Sequence, residues 1–156
     1  MKTLILYAGK HGAAAEIARR IASNLPEAAT HDLGRGDAPD LGGFGCVIVG
    51  SAIYAGMIRR EARAFAAQNA QALQGKTLGL FLSGMDASQE GTCFAANFPP
   101  ELLRAAKATA FPGGIFDPKK AGVMGRLIMK AATKQSGYTN SIDDGKIARF
   151  AEDIQA

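Results

Sequence analysis

The sequence predicts an α/β fold, a doubly wound five-stranded parallel sheet of order 2-1-3-4-5 with helices on both faces. Three observations predict it. Apolar runs at "TLILYA" (3–8), "GCVIVGSAI" (45–53) and "KTLGLFLSG" (76–84) are continuous rather than alternating, the pattern of strands covered on both sides. Helical segments with one apolar side lie between them, so strand and helix alternate along the chain. With 156 residues and 47% hydrophobic content, one packed domain over 1–156 accommodates the whole sequence.

The elements follow in order. After the first strand, Ala13–Asn24 places Ile17, Ile21 and Leu25 at helical spacing, and a weaker strand follows at "ATHDL" (29–33). The stretch "GRGDAPDLGGFG" (34–45) is a polar, Gly-rich connection to the third strand. Its Gly34-x-Gly36 is not a dinucleotide fingerprint, because Pro39 stands at the third Gly position. A helix is predicted over Met57–Leu73, with Ile58, Ala62, Phe65 and Ala66 on one side. The fourth strand is 76–84 and the fifth "ATAFPGGIF" (108–116). Two further helices are predicted at Gly122–Thr133 and Asp143–Ile154, the second with Ser141 as N-cap and Asp144 three residues on, close to a capping box.

In such sheets a ligand sits beyond the carboxyl ends of the strands, where the winding reverses. For order 2-1-3-4-5 that place lies between the loops after strands one and three, "YAGKHGA" and "GSAIYAGM", with "LSGMDASQEG" after strand four beside them. Loop one spans Ala8, Gly9, Lys10, His11, Gly12, Ala13 and Ala14 and holds no Ser or Thr. It can still bind an anion, because free amides at a helix start and the helix dipole need no side chain. Lys10 adds a fixed charge and His11 a titratable one. The competing reading is a plain strand-to-helix connection; a Walker motif is absent. In loop two, Ser51, Ala52, Ile53, Tyr54, Ala55 and Gly56 put an aromatic among small residues, suited to stacking on a flat ring, or else to packing its own helix cap. Loop three supplies Ser83, Gly84, Met85 and Asp86.

Composition bounds the function. No run of 18 uncharged apolar residues occurs and the apolar start is too short for a signal segment, so a soluble cytoplasmic protein is expected. Cys46 lies in an apolar run and reads as a buried thiol; Cys93 receives no role. Two His and no clustered ligands argue against a structural zinc site, and the absence of basic residues interleaved with exposed aromatics argues against nucleic acid. The formal charge of +4 suits an anionic ligand, an acidic partner or a membrane surface.

Three stretches carry a resemblance: "MKTLILYAGKHGAAAEIARRIA", "VIVGSAIYAGMIRREARAF", and "NFPPELLRAAKATAFPGGIFDPKKAGVMGRLIMKAAT" followed by "IDDGKIARFAEDI". In these the chain resembles the flavodoxin domain family, particularly the branch that includes the quinone-linked, oxygen-independent protoporphyrinogen oxidases. The resemblance covers Met1 to about Ile154 and implies a flavodoxin-like sheet with noncovalently bound FMN. It places the phosphate on Ala8–Ala14 and the isoalloxazine ring between Ser51–Gly56 and Ser83–Asp86. The departure is at loop one, where Ala8, Gly9, Ala13 and Ala14 stand at positions at which the family commonly has hydroxyls. A hydrogen bond to a charged group contributes about 1.5–3 kcal/mol, so losing three hydroxyls costs on the order of 4–6 kcal/mol before compensation. The expectation is FMN binding retained but weakened.

On this resemblance the expected function is an FMN-binding redox protein, an electron carrier or a small flavin-dependent reductase, with no catalytic side chain and a redox partner protein or a quinone to exchange electrons with. The alternatives are a noncatalytic flavodoxin-like module and a quinone-linked protoporphyrinogen oxidase. The stretch "MDASQEGTCFAANF" is short where those oxidases carry a longer insertion, and electron-shuttle flavodoxins are usually acidic. Residues 117–134 place Lys119, Lys120, Arg126, Lys130 and Lys134 around Val123, Met124, Leu127, Ile128 and Met129. That pattern fits a helix on an anionic membrane surface, giving peripheral contact, or a helix covering the sheet with solvated lysines outward.

Overall fold

The computed structural model describes residues 1–119 and 137–156. The central sheet is built from β1 (Thr3–Ala8), β2 (Ala28–Asp32), β3 (Cys46–Tyr54), β5 (Thr77–Ser83) and β6 (Ala106–Ala110), with β4 (Met57–Ile58) a short antiparallel arm on β3. The parallel order is β2-β1-β3-β5-β6. With β4 set aside this is the predicted 2-1-3-4-5.

Side-chain alternation sorts the strands' apolar residues into two cores. Ile5, Ile48 and Phe81 face α1 (Ala13–Ser23) and the C-terminal helix α6 (Asp144–Gln155), meeting Ile17, Ile21, Ile147 and Phe150. Leu4, Leu6, Val49 and Leu80 face the other way, toward α2 (Arg60–Gln68), α3 (Ala70–Gln74), α4 (Glu90–Asn97) and α5 (Pro100–Ala105), where Phe65, Leu73, Phe94 and Leu102 receive them. Each fully buried Leu, Ile or Phe stabilises by about 1.5–3 kcal/mol, which is why uninterrupted apolar strands need helices on both sides. Gly50 is required by Phe81: a Cβ there would lie 2.0 Å from the ring.

Register aligns the site. Ala8 is level with Ser51, and Ser51 with Leu82, so the loops after β1, β3 and β5 leave from one edge. β3 continues three residues beyond the level of Ala8, roughly 10 Å of strand, before β4 turns it back.

Four expectations are corrected. The helix over Met57–Leu73 is instead the arm β4 followed by α2 and α3, which part at Asn69; Ile58 is buried as a strand residue, paired with Ile53. The strand read at 108–116 is β6 over 106–110, because Pro112 lacks an N–H and Gly113 sits at φ 113; a separate β7 (Ile115–Phe116) pairs antiparallel with β8 (Thr139–Asn140). Ser141 does not cap α6: Asp143 does, accepting from the amides of Gly145 (2.9 Å) and Lys146 (3.2 Å), while Ser141 Oγ accepts from Gly114 N–H. Helices α4 and α5 occupy a stretch read without them. The helix expected at Gly122–Thr133 and most of the basic segment lie outside the described residues. Among the described residues, no helix is long and apolar enough to cross a membrane.

Candidate functional site

The three loops do converge. A crevice of about 90 Å³ is lined from loop one by Lys10, His11 and Ala13, from loop two by Ala52, Ile53 and Tyr54, and from loop three by Ser83, Gly84 and Met85. Arg59, Gly114 and Ile115 complete the wall and were not among the sequence candidates.

Loop one is shaped by its backbone. Gly12 caps α1 at φ 97, a left-handed conformation that favours glycine, and no side chain caps the helix. The amides of Ala13, Ala14 and Ala15 therefore start α1 without intrahelical acceptors, the arrangement that receives anions. The methyl of Ala14 is buried and that of Ala13 nearly so, and a Cβ added at Gly9 would lie 3.1 Å from Ala14 Cβ. Close packing of the turn on the helix explains small residues at 9 and 14. Ala8 is buried in β1, while Gly9 and Gly12 lie exposed and do not line the crevice.

Loop two is a hairpin rather than a strand-to-helix loop. Tyr54 pairs with Met57 across Ala55 and Gly56, which have φ 52 and 78, both left-handed as a type I′ turn demands. Alanine in that region costs about 1–2 kcal/mol, so the turn must be held by other contacts. Ser51 lies within β3 and is fully buried; its Oγ accepts from Arg59 N–H at 2.9 Å. Its side chain thus pins the hairpin base and does not line the crevice. Tyr54 ends the strand at 38% exposure, and Lys10 Nζ lies 5.6 Å from its ring centroid, within cation–π range.

Loop three is joined to the chain after β6. Gly84 N–H donates to Gly113 O at 3.1 Å, and Gly114 packs so closely that a Cβ would lie 3.2 Å from both Gly84 O and Met85 Sδ. Asp86 is turned elsewhere, its Oδ1 accepting from Ser88 N–H at 3.0 Å and Ser88 Oγ at 2.6 Å. The cluster "PGG" at 112–114 carried the signal for this fourth wall; nothing local marked Arg59.

The electrostatics favour an anion. Among the described residues, no carboxylate pairs with Lys10 or Arg59. Both thiols are buried, and burial pushes the pKa of Cys46 and of Cys93 up, the latter with help from the charge of Asp86. Neither is a nucleophile at neutral pH.

A family model for the flavodoxin domain matches residues 4–143. The chain belongs to the flavodoxin domain family. Among solved structures it is similar to the flavodoxin of Streptococcus pneumoniae TIGR4, with 20% identity, TM-score 0.64 and coverage of 99% of this chain and 98% of that one. A short-chain flavodoxin associated with a non-canonical PDU bacterial microcompartment gives 19% identity and TM-score 0.63, over 99% and 97% of the two chains. A flavoprotein from Lactobacillus acidophilus NCFM in complex with FMN gives 15% identity and TM-score 0.50, over 72% and 90%. At these identities the likeness shows a flavodoxin-like fold. Among curated proteins, none matches the chain.

Proposed function

We propose that this flavodoxin-domain protein binds FMN in the crevice and works as a redox protein, exchanging electrons with a partner protein or a quinone. The observation that carries the reading is the meeting of a helix start, two cations that have no carboxylate partner among the described residues, and a Tyr-bearing hairpin around one crevice. The residues fit the group. The amides of Ala13, Ala14 and Ala15, with Lys10 and His11, would hold the phosphate, while Tyr54 and Met85 would flank the ring. FMN, when bound, would supply one- or two-electron transfer. The chain's own part is to bind, to orient and to keep positive charge beside the ligand.

Lys10 stands over one face of Tyr54, so a ring stacking on that face requires the ammonium to move toward the phosphate side. The decisive experiment is titration of the purified protein with FMN, followed by visible absorbance. Saturable binding with a shifted flavin spectrum is expected. No shift at excess FMN refutes the reading and leaves the noncatalytic module, which the hydroxyl-free loop one favours. The oxidase reading rests on the resemblance over Met1 to about Ile154 and on the basic charge. It requires quinone-dependent turnover of a porphyrinogen and co-sedimentation with anionic vesicles.

A further inference from the structure

The hairpin that presents Tyr54 is clasped by one buried amide from a distant helix. Asn97, the last residue of α4, is 4% exposed and uses its whole hydrogen-bonding capacity. Its Nδ2 donates to Gly56 O at 2.9 Å and to Cys93 O at 2.8 Å. Its Oδ1 accepts from Ile58 N–H at 3.0 Å and from Arg63 Nη2 at 2.9 Å. The two hairpin bonds grip the backbone on either side of Met57, so a single side chain fixes the exit of the turn. The other two tie it to α4 and α2.

The hairpin needs such a hold. It has two residue pairs, and an isolated two-stranded hairpin is marginal in water. Its turn also contains Ala55 in a conformation unfavourable for a Cβ. The helix that carries Asn97 is itself anchored, with Phe94 and Phe98 stacked at 6.0 Å in the core. A buried amide facing carbonyls and amides admits few alternatives, because any residue lacking its donors strands Gly56 O.

We propose that Asn97 is the positioning residue of the ring side of the site: it fixes where Tyr54 stands and so sets the affinity for the flat part of the ligand. This rests on the FMN reading above. The test compares wild type with Asn97→Ala, which removes both the donor to Gly56 O and the acceptor of Ile58 N–H. Asn97→Ser serves as a second variant should the first not fold. Two measurements are made on each, amide hydrogen exchange at Met57, Ile58 and Arg59 in ligand-free protein, and affinity for FMN and for riboflavin, which lacks the phosphate.

The expected result is faster exchange at Ile58, with slow exchange preserved in β1 and β5. Affinity for both flavins should fall by a similar factor, roughly tenfold, because the damage lies at the ring and not at loop one. A purely structural role would lower the melting temperature and leave affinity unchanged once the protein is folded, which overturns the proposal. Unaltered exchange at Ile58 also overturns it. Wild type that binds neither flavin refutes the FMN reading itself, a result distinct from wild type that binds and a variant that binds equally well.

Discussion

Loop one and the β3–β4 hairpin face each other across the crevice, yet the first is shaped by backbone alone while the second is tied down by side chains from β3, α2 and α4. Loop one has a glycine cap without a side-chain bond, followed by three alanines. The hairpin is gripped by Ser51 Oγ at Arg59 and by Asn97 at Gly56 and Ile58. Amides at a helix start attract negative charge without regard to what carries it, whereas a clamped aromatic sets the position of a plane. On the FMN reading, the difference would make ring recognition and phosphate recognition separable, with the ring side the more specified.

The sharpest way to break that comparison is Tyr54→Ala. It should weaken FMN and riboflavin alike, by roughly tenfold to a hundredfold, the loss expected for one stacked aromatic with its buried area. Competition titrations with the two flavins check it, and a loss confined to FMN would place Tyr54 at the wrong end. The next effect runs in the opposite direction. Ala13 lines the crevice at the helix start, so Ala13→Ser should return one hydroxyl and tighten FMN about tenfold while leaving riboflavin unchanged. Equal tightening of both would show that the phosphate does not lie there.

The smallest effect concerns acid. Hydrogen bonds from Arg19, then from Arg20, hold the Glu16 carboxyl down from 4.5 to about 2, and Arg20 also bridges to Asp144 at 3.0 Å, linking α1 to α6. A folded-state pKa below the unfolded one contributes stability that is present above about pH 4.5 and is lost as pH falls toward 2. The pair is partly exposed, so the contribution is modest. Melting of wild type and Glu16→Gln should differ at neutral pH and converge by about pH 2.

Sequence periodicity predicts the fold well because a strand buried on both faces must be apolar throughout, as 46–50 and 78–82 are. It fails at Met57–Leu73, where "YAGM" lacks the Asn-Gly that usually announces a two-residue turn, although Ala55 adopts the left-handed conformation all the same. The three loops could be placed from strand order alone. Arg59 and Asn97 could not, since one faces the crevice by virtue of the hairpin and the other acts from about forty residues away. Asp86 and Ser51 follow the strand ends in sequence, but their side chains serve a local turn and the hairpin base. A buried polar residue that satisfies its neighbours leaves no periodic trace.

The pairing of β7 with β8 has one more consequence. Ile115 opposite Asn140 and Phe116 opposite Thr139 form a stem whose near end lines the crevice and whose far end opens onto residues 117–138. The ends of that stretch are held together by the stem, and Ser141 fastens its base to Gly114. Loop-closure cost grows only slowly with length, so the stem that brings residues 117 and 138 together carries an entropic cost that depends little on how many residues lie between them.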